Sequence, residues 1–192
     1  MPDASEFSPV RAGPLVNLPA PAGGIALEER PLLGKLNLRG EADNEAFAAA
    51  VRDVLGCALP TVPNSVAVSE ACTVFWLGPD EWLIHCADDA RPGLEEKLKS
   101  ALADQHSALV DVSDYYVVMR LSGSRVFEVL AKAVPLDLHP RAFHEGCCAQ
   151  TRFGHASVLL HKLSEDTADL QVRWSFAEYV WLFLVDGARE YQ

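Results

Sequence analysis

Residues 72–86 read CTVFWLGPDEWLIHC, and the assignment of a fold starts from them. Two runs of β-branched, aromatic and aliphatic residues, 72–77 and 81–86, lie on either side of the sequence Gly-Pro-Asp at 78–80. Turns select these three residue types because they supply unusual backbone angles or hydrogen-bond their own backbone. The stretch therefore predicts a β-hairpin.

Helical periodicity appears on both sides of this hairpin. In three segments apolar residues recur at i, i+3 or i+4, and i+7 or i+8, which gives each segment one apolar stripe for packing on a sheet. These positions are Phe47, Val51, Val54 and Leu55 after the N-cap Asp43, Leu94, Leu98, Ala101 and Leu102 after Pro92, and Val126, Val129, Leu130, Ala133 and Val134 after Ser122. A fourth helix is predicted to begin at Ser175, which with Glu178 has the spacing of a capping box.

The remaining β-rich runs complete a repeated order of elements. They lie at 36–39, 108–112, 116–121, 148–153, 157–163 and 170–174, with a second hairpin turn at 154–155. Each half of the chain, about 35–114 and about 115–192, runs β-α-β-β-α with another strand near its end, the split βαβ pattern of ferredoxin-like units. We expect an α+β fold of two such units packed together, with mainly antiparallel sheets and helices on one face. A chance alignment of two common units is the alternative.

The first 34 residues differ from the rest in composition, since they hold six of the twelve prolines. Proline fixes one backbone angle and removes a hydrogen-bond donor, so we predict an extended N-terminal arm over 1–34 and a compact domain over 35–192. The first ten residues lack a basic cluster and an apolar core, so no signal peptide is predicted and we expect a cytoplasmic location. No apolar run is long enough to predict a membrane span.

Charge and cysteine content exclude several classes of protein. The net charge is −11, and Lys and Arg do not cluster as a nucleic-acid-binding face requires. The acidity serves solubility or complements a basic partner surface. The five cysteines include no CxxC pair, so a structural zinc site is not predicted and we expect reduced thiols. The adjacent Cys147 and Cys148 are predicted to be structural rather than nucleophilic.

No set of residues in the sequence predicts an active site. Asp111 and Asp114 are spaced as an acid–base pair, but with Ser113 between them they are more typical of a turn. His155 and His161 on one strand face would lie about 20 Å apart, too far to share a metal. The phosphate-binding patterns GxGxxG and GxxxxGK[ST] do not occur in the sequence. We therefore predict no catalytic, cofactor-binding or metal-binding residue, and a binding or assembly module rather than a free enzyme.

Seven segments, taken in order, resemble the gamma subunits of heterotetrameric sarcosine oxidase. They are WLGPDEWLI at 76–84, VDVSD at 110–114, LSG at 121–123, VLAK at 129–132, PLDLHPRAF at 135–143, CAQT at 148–151 and RWSFAEY at 173–179. The resemblance runs from about residue 30 to about residue 190. Its most specific part is PLDLHPRAF followed by CAQT and SFAEY.

This resemblance implies partners and a function. The chain would be the non-catalytic gamma subunit, with a structural role in assembly, beside alpha, beta and delta subunits. Such a complex oxidatively demethylates sarcosine to glycine, reduces oxygen to hydrogen peroxide and, with tetrahydrofolate, releases 5,10-methylenetetrahydrofolate. FAD, FMN and NAD are expected on the alpha and beta subunits, tetrahydrofolate on a partner subunit and zinc on the delta subunit, with no cofactor on this chain.

The chain also resembles, more distantly, folate-binding domains of the aminomethyltransferase type. The acidic segment of that family's folate site has no clear counterpart here. The run EGCCAQ at 145–150 matches the KGCYxGQE pattern of a related folate-binding family only in part, since the Lys and the final Glu are missing. No folate site is therefore expected. The alternatives are a free-standing folate-binding, one-carbon transfer protein and a gamma-like subunit of an oxidase for another N-methyl amine.

The C-terminal helix carries the predicted subunit interface. Residues 179–185, YVWLFLV, are apolar or aromatic around the whole helix, whereas packing on a sheet needs a stripe only about 100° wide. An exposed apolar patch here would dock a large subunit through aromatic anchors. The candidate interface residues are Tyr179, Trp181, Leu182 and Val185. The alternative is that this helix is sandwiched inside the chain, for instance under the Pro-rich arm.

Overall fold

The computed structural model describes residues 12–21, 24–30 and 32–191, which form ten strands and four helices. The strands are β1 (Ala26–Glu29), β2 (Leu33–Arg39), β3 (Val66–Val68), β4 (Cys72–Gly78), β5 (Glu81–Ala87), β6 (Ala108–Asp111), β7 (Tyr116–Ser122), β8 (Cys148–Phe153), β9 (Ala156–Lys162) and β10 (Thr167–Arg173). The helices are α1 (Glu45–Leu55), α2 (Arg91–Ala101), α3 (Val126–Ala131) and α4 (Ala177–Ala188). Short 3-10 turns lie at Ser113–Tyr115, Trp174–Phe176 and Arg189–Tyr191.

The strands pair into two sheets of five, and every neighbouring pair is antiparallel. The first sheet has the order β3-β4-β5-β2-β6, and the second has the order β1-β7-β10-β9-β8. The predicted hairpin at 72–86 is the β4–β5 pair, with Val74 opposite Ile84 and a register irregularity beside the turn. The predicted α+β class with mainly antiparallel sheets is confirmed.

Side-chain alternation along the strands divides the core into three apolar clusters. One face of the first sheet packs Trp82 and Ile84 against α1 and α2, and one face of the second packs Met119 and Leu170 against α3 and α4. The opposite faces of the two sheets meet each other through a smaller buried cluster. Its members are Phe75, Leu83, Cys148 and Leu159. The layers are therefore helices, sheet, sheet and helices, and side chains from both halves of the chain meet between the sheets.

Two helix starts differ from the predicted ones. Asn44 rather than Asp43 is the N-cap of α1, and its Oδ1 accepts hydrogen bonds from the second and third helical N–H groups at 3.0 and 3.2 Å. The predicted capping box at Ser175 and Glu178 is wrong. A 3-10 turn runs directly into α4, so Ser175 lies inside that turn and no side chain caps the helix.

The segment predicted as an N-terminal arm contains β1, which was not predicted. This strand lies at the edge of the second sheet, where it pairs with β7. Leu15 and Ile25 are buried in the core cluster of that sheet. Residues 1–11, 22, 23, 31 and 192 lie outside the described residues. The division of the chain at residue 35 into an arm and two pseudo-repeats stays a prediction.

A close backbone contact fixes where β1 begins. Gly123, between β7 and α3, has a φ of +126°, which L side chains rarely adopt. A Cβ at this position would lie 2.3 Å from the carbonyl oxygen of Gly24. The missing side chain thus lets the residues before β1 cross the connection between β7 and α3.

Replacing Gly123 with Ala is expected to lower the free energy of unfolding by about 2 kcal/mol or more, because both the backbone angle and the contact with Gly24 oppose a Cβ. Gly93→Ala in α2 is the matched control, since a Cβ there meets nothing within 4 Å. That control should leave stability unchanged or raise it by up to about 1 kcal/mol. Urea unfolding of both variants measures the difference, and equal effects would contradict the described contact.

Candidate functional site

The candidate site lies between the two sheets, where polar side chains surround the small apolar cluster. Lys35 and Gln171 are 3% and 4% exposed, and His161 is 8% exposed. These residues stand on β2, β10 and β9, in each case on the strand face turned away from the helices. Burying a polar side chain costs free energy unless the side chain is hydrogen-bonded. The partners of these three residues therefore determine how the two sheets pack here.

A hydrogen bond joins the sheets at this point. The Nε2 atom of His85, on β5, lies 2.6 Å from the Oε1 atom of Gln171, on β10. The ring of Phe75 packs edge-on between two imidazoles, with its centroid 4.8 Å from that of His85 and 5.1 Å from that of His161. Aromatic rings prefer this edge-to-face arrangement. The imidazoles therefore serve both as packing surfaces and as hydrogen-bonding groups.

The charges around His85 favour its neutral form. Desolvation between the sheets, followed by the nearby positive charge of Lys35, lowers the pKa of His85 from its ordinary 6.5 to about 3. The ammonium of Lys35 donates to the carbonyl oxygens of Leu33 (3.1 Å) and Ser113 (3.2 Å). Burial also lowers the pKa of His161. A neutral imidazole at His85 donates from Nε2 to the Gln171 carbonyl oxygen.

The same inner face of the second sheet carries a bidentate ion pair. The Nε and NH2 atoms of Arg120 each lie 2.7 Å from a carboxylate oxygen of Asp169. Hydrogen bonding to this carboxylate raises the pKa of the Arg120 guanidinium further above its ordinary value. Because both charges of the pair are satisfied by each other, the pair holds β7 and β10 in register.

Two cavities open between the sheets. The larger, of about 480 Å³, lies toward the β4–β5 turn, between the inner faces of the two sheets. We call it the inter-sheet cavity, and its polar lining residues include Asn37, Glu81, Tyr116, Gln150, Gln171 and Arg173. The smaller, of about 290 Å³, lies toward the opposite ends of these strands beside His161 and Arg120. Neither cavity was predicted from the sequence, since each is assembled from strands far apart in the chain.

The acidic pair near residue 111 has a structural role. The Oδ1 atom of Asp111 accepts hydrogen bonds from the N–H (2.9 Å) and the hydroxyl (2.5 Å) of Ser113, which starts the 3-10 turn. Its Oδ2 atom lies 2.7 Å from NH1 of Arg91. The predicted turn is confirmed, and it places Tyr115 and Tyr116 beside the inter-sheet cavity.

The two adjacent cysteines have different surroundings. Cys148 is buried between the sheets, where burial raises the pKa of its thiol to about 12, and its Sγ lies 3.5 Å from the carbonyl oxygen of Ser65. Cys147 is half-buried, and its Sγ lies 3.1 Å from both ring nitrogens of His144. The contact between His144 and Cys147 was not predicted, although their spacing of three residues allows it. A thiol held in its protonated form, as at Cys148, is a packing group rather than a nucleophile.

The predicted interface residues of α4 separate into buried and exposed ones. Trp181 and Val185 are 5% and 8% exposed, and Trp181 donates from Nε1 to the carbonyl oxygen of Pro19 at 2.7 Å. Residues 12–21 therefore cover this side of the helix, as in the sandwiched alternative. Tyr179 is half-buried, with its hydroxyl 3.4 Å from the backbone nitrogen of His155. Leu182 alone of the four is exposed, at 41%.

Within the described part of the chain, no group of three or more His, Cys, Asp or Glu side chains is placed to hold a metal ion. None of the helices formed by those residues has the length and apolar character to cross a membrane.

Comparison with known proteins identifies similar chains over nearly the whole length. A family model described as the sarcosine oxidase, gamma subunit family matches residues 39–190. The sarcosine oxidase subunit gamma of Corynebacterium sp. strain P-1 is 34% identical over 171 residues, which cover 88% of this chain and 83% of that protein. The corresponding subunit of an Arthrobacter species is 34% identical over 174 residues, with the same coverage.

Solved structures agree with these sequence matches. A chain of the heterotetrameric sarcosine oxidase from Corynebacterium sp. U-96, in complex with pyrrole 2-carboxylate, superposes with a TM-score of 0.86 at 30% identity, over 94% of this chain and 96% of that chain. Aminomethyltransferase T of the glycine cleavage system from Bartonella henselae superposes with a TM-score of 0.63 at 11% identity, over 85% of this chain and 46% of that chain. The second likeness shows a shared fold alone.

Acid is expected to weaken the fold through His85. Its pKa in the folded chain, about 3, lies below the ordinary 6.5, so between these values the unfolded chain binds the extra proton. The free energy of unfolding is therefore unaffected by protonation of His85 above about pH 6.5. Below that pH it falls by up to about 1.4 kcal/mol per pH unit, until the pH reaches the folded pKa. From about pH 7 to about pH 5 the parent chain should lose about 1 to 2 kcal/mol more than His85→Gln.

Urea unfolding at the two pH values measures this difference. His106→Gln is the matched control because His106 is an exposed histidine outside the inter-sheet contact. The control should follow the parent chain. If His85→Gln also follows it, His85 is not the group that acid protonates on unfolding.

Proposed function

Since the chain belongs to the sarcosine oxidase gamma subunit family, we propose that it acts as the non-catalytic gamma subunit of a heterotetrameric sarcosine oxidase. The observation that carries this proposal is the superposition on a chain of such a heterotetramer over nearly the full length of both chains. The role that fits is assembly.

The side chains that could take part in a reaction support a non-catalytic role, because each already has a structural partner or is buried in the core. Asp111 holds a turn, and Arg120 and Asp169 neutralise each other. Cys148 keeps its proton in a buried cluster, and the Nε2 of His85 is hydrogen-bonded to Gln171. In this proposal the assembled complex demethylates sarcosine to glycine and forms hydrogen peroxide and 5,10-methylenetetrahydrofolate. Its FAD, FMN, NAD, tetrahydrofolate and zinc reside on the alpha, beta and delta subunits.

A patch on the outer face of α4 is the docking surface that we propose for a partner subunit. Leu182 lies four residues from Glu178 and four residues from Asp186, so the three share one face of the helix, and all three are exposed. Trp174, in the turn before α4, is 42% exposed. An apolar side chain with acidic neighbours fits a partner pocket that has an apolar floor and a basic rim. Trp181 and Val185 support this surface from inside.

The chain alone is expected to produce no hydrogen peroxide when supplied with sarcosine, oxygen, FAD and FMN. The same assay on the complex formed by co-expression with the alpha, beta and delta subunits should produce it, because the oxidation chemistry belongs to the partners. Peroxide release is followed with a coupled peroxidase. Turnover by the chain alone would refute the non-catalytic assignment.

Leu182→Asp is expected to release the chain from the complex, because it places a charge in an apolar contact. Size-exclusion chromatography of the co-expressed subunits measures this, and urea unfolding of the isolated variant should match the parent chain. Val68→Asp is the control, since Val68 is an exposed apolar residue on β3, at 68% exposure. A complex that keeps the Leu182→Asp chain would place the docking surface elsewhere. Failure of the parent chain to co-purify would instead contradict the subunit assignment.

A further inference from the structure

The inter-sheet cavity has the dimensions of a small-molecule site. Its volume of about 480 Å³ falls within the range that such sites occupy, roughly 300–1,000 Å³. The first sheet contributes Asn37 and Glu81 to its walls, and the second contributes Gln171 and Arg173. Its apolar surface is supplied by aliphatic side chains from both sheets and the connection to β7. These are Leu77, Leu83, Val112 and Leu159.

One buried polar group in the wall is only half satisfied. Gln171 is 4% exposed, and its Oε1 atom is engaged by Nε2 of His85 at 2.6 Å. The Nε2 amide group of Gln171 makes no hydrogen bond with the described residues but keeps accessible surface, and its side chain lines the cavity. An acceptor oxygen in the cavity would satisfy it.

The cavity lining carries one carboxylate, Glu81, and one guanidinium, Arg173. Glu81 is already occupied, since its Oε1 accepts from Nδ2 of Asn37 (2.8 Å) and its Oε2 from NH2 of Arg39 (2.6 Å). Arg173 stacks its guanidinium over the ring of Tyr115 at 5.2 Å, and no carboxylate of the described residues lies within ion-pair distance of it. The lining therefore presents one guanidinium, on the exposed Arg173, that is not ion-paired with a described residue.

A hydroxyl donor lies near the same point. Tyr116 lines the cavity, and burial raises the pKa of its phenol above the ordinary 10, so the hydroxyl keeps its proton at neutral pH. The positive charge of Arg173 and the negative charge of Glu81 both act on this hydroxyl. The cavity thus offers a guanidinium, a phenol O–H and an amide N–H around an apolar floor. A carboxylate accepts hydrogen bonds from all three groups.

We propose that the inter-sheet cavity binds a small monocarboxylate with a compact apolar body. The carboxylate pairs with Arg173 and accepts from the amide of Gln171, while the apolar body packs on Leu83 and Leu159. An amino group on the ligand gains nothing here, because Glu81 is held by Asn37 and Arg39. The site is independent of the docking surface on α4, so its failure would leave the proposed subunit role untouched.

Sodium benzoate and benzamide test the proposal because they share a shape and differ in charge. Isothermal titration of the full chain at constant ionic strength should give saturable, one-site binding of benzoate. Benzamide should bind at least about tenfold more weakly, since it lacks the charge that pairs with Arg173. Equal binding of the two compounds, or no saturable heat at millimolar benzoate, overturns the proposal.

Two variants locate the binding. Arg173→Gln should weaken benzoate binding at least about tenfold, and Gln171→Glu should abolish it, because the new carboxylate still accepts from His85 but repels the anion. The matched control is Arg52→Gln, which removes an exposed arginine from α1 on the far side of the first sheet. Binding that survives Arg173→Gln, or that Arg52→Gln weakens equally, shows non-specific anion association and overturns the proposal.

Discussion

The structure depends on the contact between the inner faces of the two sheets, because the outer face of each sheet packs on helices. Only four buried apolar side chains join the inner faces, far fewer than pack under the helices. Hydrogen bonds therefore add to the contact between the two halves, one from Nε2 of Gln150 to the carbonyl oxygen of Leu77 at 2.7 Å and one between His85 and Gln171. Because a buried hydrogen bond is directional, it fixes the position of β5 relative to β10 in a way that apolar packing alone does not.

The polar inner faces explain both the cavity and the lack of reactive groups around it. Polar side chains are held in the positions that their hydrogen bonds require, so they fill the space between the sheets less completely than aliphatic ones. A cavity remains where Asn37 and Glu81 face Gln171 and Arg173. Most of these groups already have partners, so they are poor nucleophiles, acids or bases. Such a lining accords with the non-catalytic role proposed above.

The sequence predicted the elements whose signals are local. The hairpin at 72–86 and most strands follow from side-chain period and turn residues. β1 and β3 have four and three residues, too few for a period, and their positions are set by distant partners. Helix α4 is apolar around its whole circumference, so its sequence does not show which side is buried. The segment that covers Trp181 includes Pro19, which lies 162 residues away in the chain. The site between the sheets gave no signal for the same reason, since Gln171 meets His85 across 86 positions.

The pairing of β1 with β7 has a consequence for synthesis on the ribosome. The first sheet is formed by residues 33–111 alone and is complete once they have emerged. β1 emerges before all of them, yet its partner and the rest of its sheet lie between residues 116 and 173. The backbone N–H of Gly24 finally donates to the carbonyl oxygen of Tyr191, at the other end of the described chain. The earliest strand made is thus among the last to be paired, and during translation its unpaired edge is open to chaperones.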